Sequence, residues 1–120
     1  MLAGLRTVIY QVDDLAAARR WYTAALGIEP YFVEPFYVGF NVGGYELGLD
    51  PDGDGVTRGN NAIAYWGVPE IHAAVAHWTQ HGAQPVSEVC EVGDGIFVAQ
   101  LADPFGNVLG LIENPSFRLP

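Results

Sequence analysis

The spacing of apolar residues changes once along the first quarter of the chain, from the pattern of a strand to that of a helix. Residues 5 to 12 form an apolar, β-branched run, and a helical pattern then extends from Asp13 or Asp14 to Gly27. Apolar positions three and four residues apart mark the buried face of a helix, and a glycine followed by a proline is a common helix end. That face is predicted to comprise Leu15, Ala18, Tyr22, Ala25 and Leu26. The pattern predicts a strand followed by a helix.

Three short apolar runs complete the first half of the chain. They lie at about 30 to 35, 37 to 42 and 45 to 50, and Gly43-Gly44 separates the last two. A glycine pair between two such runs is typical of a tight β-hairpin. The segment from 50 to 61 is rich in glycine and aspartate, which indicates a connector.

The second half repeats this order. An apolar run at 62 to 68 predicts a strand, and Pro69 is placed in the first turn of a helix that ends at Gly82. The buried face of this helix is predicted to comprise Ile71, Ala74, Val75 and Trp78. Further strands are predicted near 84 to 92, 95 to 102 and 107 to 113.

The two halves also align in sequence. Residues 7 to 30 can be placed against 63 to 85 in register apart from one gap, and "LGLDP" at 47 to 51 resembles "LGLIENP" at 109 to 115. Each match is weak, but all of them occur in the same order, which indicates an internal duplication.

The duplication predicts the architecture. We expect an α+β fold of two tandem βαβββ modules, at about 4–55 and 60–115, within a single domain of residues 1–120. Each helix covers one face of its sheet. Two such sheets side by side would form a curved mixed-sheet trough, whose concave face is open to a ligand.

The charge balance narrows the range of partners. The chain has 14 acidic and 5 basic residues, a net charge of -9, and every basic residue is an arginine. Such a surface repels nucleic acids and anionic membranes and favours cationic molecules. A single cysteine, Cys90, excludes an internal disulfide, and neither a secretory signal nor an apolar run of membrane-spanning length is visible. We therefore expect a cytoplasmic protein.

Two segments carry a family resemblance. "VIYQVDDLAAARRWYTAALG", residues 8 to 27, and "DPFGNVLGLIE", residues 103 to 113, are similar to the vicinal oxygen chelate superfamily, which includes glyoxalase I, bleomycin-resistance proteins and extradiol dioxygenases. The resemblance covers nearly the whole chain and implies the glyoxalase/bleomycin-resistance-like fold. It also implies a homodimer, since members of this fold commonly pair.

The resemblance further implies where a metal would be bound. Metal-using members take histidine or glutamate ligands from the first and last strand of each module. In this chain those positions are Thr7, Ile63 and Gly110, together with Glu46 or, by the internal repeat, Gly48. Isoleucine and glycine provide no ligand atom, and one glutamate cannot hold a divalent ion alone. No metal or other cofactor is therefore expected, unless the chain is an enzyme that binds a divalent metal in a non-standard way.

Strand alternation predicts which residues line the trough. The complementary positions, Tyr10, Ala64 and Trp66, should pack under the helices. The trough is predicted to be lined by Thr7, Ile9, Gln11, Glu46, Gly48, Ile63, Tyr65, Gly110 and Ile112. Apolar walls with a few polar groups suit a small organic ligand.

Three functions follow as alternatives. The first is a metal-free binding protein of the glyoxalase/bleomycin-resistance type, which sequesters a small organic and preferably cationic molecule. The second is a lyase or dioxygenase of the same superfamily with a non-standard or metal-free active site, for which Glu46 is the candidate catalytic carboxylate. The third is a dimeric interaction module. Histidine at Thr7 and Ile63 with glutamate at Gly110 is predicted to rebuild a four-ligand metal site around Glu46.

Overall fold

The computed structural model describes residues 1, 3, 5–51, 56–58 and 62–117. The chain divides into two compact units, unit 1 with residues 1–57 and unit 2 with residues 58–120. Each unit combines one helix with one sheet.

Unit 1 contains a four-stranded sheet and one helix. Its elements are β1 (Thr7–Val12), α1 (Leu15–Leu26), β2 (Phe32–Glu34), β3 (Tyr37–Val42) and β4 (Tyr45–Pro51). The strand order is β1-β4-β3-β2, with β1 parallel to β4 and the other pairs antiparallel. The predicted connector at 50 to 61 therefore begins later than expected, because 50 and 51 still belong to β4. Positions 52–55 and 59–61 of that connector lie outside the described residues.

The ends of α1 are set by the residues that the pattern indicated. Asp14, rather than Asp13, is the N-cap, and its Oδ1 accepts a hydrogen bond from the backbone N–H of Ala17 at 3.0 Å. Gly27 ends the helix with a φ of 72°, where a side chain would be strained, and its N–H donates to the Thr23 carbonyl. The predicted helix is confirmed.

Successive side chains of a strand point to opposite faces of the sheet, and in unit 1 the side chains on one face form the core. The Tyr10 ring of β1 packs against Tyr22 of α1, with ring centroids 6.3 Å apart. Other buried side chains on this face are Val12, Val38, Phe40, Leu47 and Leu49. Ala18 and Ala25 are buried on α1, which contacts β3 and β4. Strand residues of the opposite parity form the open face of unit 1.

Unit 2 has the same plan with five strands. Its elements are β5 (Tyr65–Gly67), α2 (Ile71–Gln80), β6 (Gln84–Pro85), β7 (Cys90–Gly93), β8 (Ile96–Ala102) and β9 (Val108–Glu113). The strand order is β5-β9-β8-β6, and β7 also pairs with β8. Buried side chains of its core are Ile71, Trp78, Ala83, Ala99, Leu101, Leu109 and Leu111.

The start of α2 differs from the prediction. Glu70 is its N-cap and accepts hydrogen bonds from the N–H groups of His72 and Ala73 at 3.1 and 2.6 Å. Because a side-chain carboxylate satisfies these first donors, the helix begins at Ile71 and Pro69 lies before it rather than in its first turn.

The predicted strand at 84 to 92 is divided in two. The N–H groups of Val86 and Ser87 both donate to the Gln100 carbonyl, at 2.8 and 3.3 Å. In regular strand pairing each carbonyl accepts one backbone N–H. Two N–H donors on the same carbonyl therefore interrupt the hydrogen-bond ladder between this segment and β8. The residues between β6 and β7 therefore form a bulged segment.

The "DPFGN" segment is a turn built around a buried carboxylate. Asp103 is 6% exposed, and its Oδ1 accepts from the N–H groups of Phe105 and Asn107 at 2.9 and 2.8 Å. Arg58 Nε donates to the Phe105 carbonyl at 3.0 Å. This motif shapes the entry into β9.

Within the part of the chain that the structure covers, neither helix is long and apolar enough to cross a membrane.

Candidate functional site

One carboxylate on the open face of unit 1 is held by three hydroxyl groups. Thr7 and Glu46 are paired across β1 and β4, and the Thr7 hydroxyl donates to Glu46 Oε1 at 3.1 Å. The Tyr37 hydroxyl of β3 donates to the same oxygen at 2.7 Å. The hydroxyl of Tyr31, just before β2, donates to Oε2. We call these four residues the Glu46 cluster.

The hydroxyl donors set the protonation state of the Glu46 cluster. Hydrogen bonds from Tyr31 and Tyr37, and to a lesser degree from Thr7, lower the pKa of Glu46, although partial burial opposes them. The pKa of Tyr31 is raised, chiefly by its hydrogen bond to Glu46, and that of Tyr37 is raised by burial and by the same carboxylate. At neutral pH the cluster is therefore a carboxylate anion with two protonated tyrosines.

Glycines provide the space in which the two tyrosines lie. The Tyr37 ring and hydroxyl occupy the position that a Cβ would take at Gly48. Gly39, which pairs with Gly48, has the Tyr31 ring 3.2 Å and Glu46 Oε2 2.9 Å from its own Cβ position. Any larger residue at these positions would displace a hydroxyl donor from the carboxylate.

The structure brings the predicted residues of unit 1 onto one face. Ile9 pairs with Gly48 between the Thr7–Glu46 pair and the pair of Gln11 with Asp50. Ile9 is 50% exposed, and Gln11 Nε2 donates to Asp50 Oδ2 at 3.2 Å. An anionic cluster therefore borders an exposed apolar side chain.

In unit 2 the predicted residues are only partly brought together. Tyr65 pairs with Gly110, and Gly67 on the same face pairs with Ile112. Ile63 lies before β5, which is shorter than the predicted strand at 62 to 68. The position expected to present a ligand side chain from this strand is therefore outside the ladder.

The strand pairing bears on whether Glu46 or Gly48 is the counterpart of Gly110, and it favours Gly48, as the internal repeat does. Ile9 and Tyr65 are equivalent in the repeat, and their strand partners are Gly48 and Gly110. Gly48, rather than Glu46, thus corresponds to Gly110. Each of the two glycines lies beneath a tyrosine ring.

These residues do not fit a resident divalent ion. The Glu46 oxygens already accept hydrogen bonds from three hydroxyl groups, which leaves about one lone-pair site, and a divalent ion needs several ligand atoms. A Cβ at Gly110 would lie 2.6 Å from the Ala64 carbonyl oxygen, so glutamate there collides with backbone. This close approach at Gly110 disfavours the rebuilt metal site, which stays a prediction. No group of three or more His, Cys, Asp or Glu side chains converges among the residues described.

Strand alternation alone does not identify Tyr31 and Tyr37 as site residues. For Tyr37 the sequence does contain a signal, namely a glycine at the centre of one strand and an aromatic residue on the neighbouring strand. Aromatic rings commonly cover such glycines. The Tyr31 contact has no such signal, since it depends on the path of the chain before β2.

Solved structures with the same fold are numerous. A glyoxalase-related enzyme from Fulvimarina pelagi is 20% identical, with a TM-score of 0.81 over 99% of this chain and 94% of that chain. A glyoxalase/bleomycin resistance protein/dioxygenase family enzyme from Burkholderia phytofirmans is 19% identical, with a TM-score of 0.78 over 92% and 98%. A lactoylglutathione lyase from Agrobacterium tumefaciens is 19% identical, with a TM-score of 0.76 over 98% and 100%. No curated protein matches the chain in sequence.

These similarities confirm the predicted mixed α+β fold of the glyoxalase/bleomycin-resistance type, which has two sheets and two helices in the described part of the chain. The sequence model of the Glyoxalase/Bleomycin resistance protein/Dioxygenase superfamily matches residues 4–111. The chain belongs to this superfamily.

Proposed function

We propose that the chain is a metal-free binding protein that sequesters a small organic cation at the open face of unit 1. The observation that carries this proposal is the Glu46 cluster. Three hydroxyl donors fix the carboxylate in one orientation and in its ionised form. A carboxylate has about four lone-pair sites, so one remains for a ligand.

The surroundings of Glu46 favour a cation with an apolar body. Ile9 is 50% and Tyr31 63% exposed beside the carboxylate, and Tyr31 presents an aromatic ring to solvent. Aromatic faces and carboxylates both attract organic ammonium groups. The net charge of -9 raises the local concentration of cations and repels anions.

The alternative enzymatic function, a lyase or dioxygenase with a non-standard or metal-free site, would need Glu46 as an acid or base. A general base works best when its pKa lies near the working pH. The hydroxyl donors move the pKa of Glu46 the other way. Binding is therefore the better supported function, although relatives of this fold include a lactoylglutathione lyase.

The test compares two probe ligands of equal shape, 3-(trimethylammonio)phenol and 3-tert-butylphenol. Isothermal titration should give tighter binding of the cation. Glu46→Gln should weaken the cation about fivefold, the effect of a partly exposed charge pair of about 1 kcal/mol, and leave the neutral probe unchanged.

Glu29→Gln is the matched control, because Glu29 is an exposed carboxylate of the same unit and the charge change is identical. It should alter the affinity for the cation by less than a factor of two. Equal effects of both substitutions would mean that only net charge matters. An unchanged affinity after Glu46→Gln would remove the proposal.

We also propose that metal ions are not needed. Nickel, zinc, manganese or ferrous iron at twofold excess should leave the melting temperature of the protein unchanged, because a ligand of the native state would raise it. A rise of several degrees that Glu46→Gln abolishes would instead support the enzymatic alternative.

A homodimer is the third proposal, and the edge of the unit 1 sheet supports it. Phe32, Val33 and Phe36 in and after β2 are 38%, 41% and 64% exposed. Exposed apolar side chains on an edge strand favour association with a second copy. Light scattering should give twice the chain mass of 13.0 kDa at micromolar concentration.

A further inference from the structure

A tyrosine of unit 2 lies across the sheet rather than away from it. Tyr65, Gly110 and Gln100 are register partners on β5, β9 and β8. Tyr65 Cδ1 and Cε1 lie 2.7 and 3.0 Å from the position that a Cβ would take at Gly110. The Tyr65 hydroxyl accepts a hydrogen bond from Gln100 Nε2 at 2.8 Å. The ring is thus fixed across three strands.

Part of the Tyr65 side chain is open to solvent. Tyr65 is 41% exposed, and the Cβ position of Gly67, next on the same face, has no atom within 4 Å. Ile112 and Val98, which follow Gly67 across the sheet, are half-buried. An aromatic surface therefore borders an apolar floor from which the side chain at Gly67 is missing.

The Tyr65 hydroxyl can still donate a hydrogen bond. A phenol can accept and donate at the same time. It accepts from Gln100, and no acceptor for its own proton is present in the part of the chain that the structure describes. An acceptor on a ligand beside the ring would complete its hydrogen bonding.

We propose that Tyr65 forms a second subsite, which binds a planar conjugated ring and donates a hydrogen bond to an oxygen or nitrogen acceptor on it. Gln100 is the positioning residue, since it holds the hydroxyl without using its proton. The net charge of -9 selects a neutral acceptor, such as a ring carbonyl, over a carboxylate. This inference rests on the proposed function only in that the chain binds small molecules, because it uses no residue of the Glu46 cluster.

The experiment uses chromone, a planar ring with a carbonyl acceptor, and naphthalene, a similar ring without one. Chromone should shift the amide signals of Tyr65 and Gly67 in a ¹H–¹⁵N NMR titration of the full chain. Tyr65→Phe keeps the ring and removes the donor, so it should weaken chromone about fivefold and leave naphthalene unchanged.

Two substitutions at Gln100 distinguish its effect on the Tyr65 hydroxyl from its effect on the position of the Tyr65 ring. In Gln100→Glu the carboxylate would accept the hydrogen bond that the Tyr65 hydroxyl donates, so this proton is no longer available to a ligand, and it would still hold the ring. Chromone should again weaken several-fold while naphthalene binds as before. Gln100→Leu releases the hydroxyl and should weaken both probes, because the ring is no longer fixed.

The controls keep this inference distinct from the proposed function. Tyr31→Phe and Glu46→Gln should both leave the chromone affinity unchanged, whatever they do to the cationic probe. Absence of chromone binding at its solubility limit would overturn the inference, as would equal affinity in Tyr65→Phe. Signals of Tyr65 and Gly67 that move on dilution of the protein alone would show instead that a second copy covers this face.

Discussion

Replacement of Gly110 by alanine is the substitution whose effect the structure defines most closely. Gly110 is buried on β9, and its N–H donates to the Ala64 carbonyl at 2.9 Å. A Cβ at this position would lie 2.6 Å from that same carbonyl oxygen and 2.7 Å from Tyr65 Cδ1. The oxygen belongs to the backbone, so the chain at Ala64, directly before β5, would have to move away from β9.

The loss of stability can be worked out from the packing and the hydrogen bond that this movement disturbs. Overpacking in a well-packed site costs about 1–3 kcal/mol, and a lost hydrogen bond adds about 1 kcal/mol. We expect Gly110→Ala to lower the free energy of unfolding by about 2–4 kcal/mol, which lowers the melting temperature by about 8–15 °C for a domain of this size.

Gly67→Ala is the matched control on the same sheet and face. No atom lies within 4 Å of its Cβ position. Alanine there should be neutral or slightly stabilising, by roughly 0.5 kcal/mol, because it restricts the unfolded chain. Both variants are compared with the wild type by urea unfolding and differential scanning calorimetry. Equal stability of Gly110→Ala and Gly67→Ala would refute the close approach at Gly110.

Three further predictions concern other parts of the molecule. Gly48→Ala should displace the Tyr37 hydroxyl and raise the pKa of Glu46, as measured by carboxyl ¹³C NMR. Asp103→Ala should cost about 2–3 kcal/mol of unfolding free energy in urea titrations, because two half-buried N–H groups lose their acceptor. Phe36→Ser should weaken the proposed homodimer at least tenfold in analytical ultracentrifugation without a change in melting temperature of the separated chains.

Local sequence signals predicted the helices and the strand faces. Asp14 and Gly27 carry their own capping chemistry, and alternation places Tyr10 in the core and Ile9 in solvent. Such signals depend on neighbours a few residues away, so they can be recognised without the tertiary structure.

The site could be predicted only in part, because its contacts join distant positions. Alternation placed Glu46 and Thr7 on one face, but only the register of β3 against β4 brings Tyr37 to the carboxylate. The division of the predicted strand at 84 to 92 likewise follows from two donors on the Gln100 carbonyl. Register is a property of paired strands, and a single strand sequence does not contain it.

A pH titration of the Glu46 carboxyl carbon measures whether the three hydroxyl donors hold this carboxylate in its ionised form. The folded-state pKa is lowered, so the stabilising contribution of the cluster is complete above the unfolded pKa and is lost as the pH falls through the folded pKa. We expect a ¹³C titration midpoint below the ordinary glutamate value of about 4.3. We also expect that stoichiometric Mn²⁺ does not broaden this signal. A midpoint at or above the ordinary value, or selective broadening of Glu46 by one equivalent of Mn²⁺, would contradict the assignment of Glu46 as an ionised, metal-free binding group.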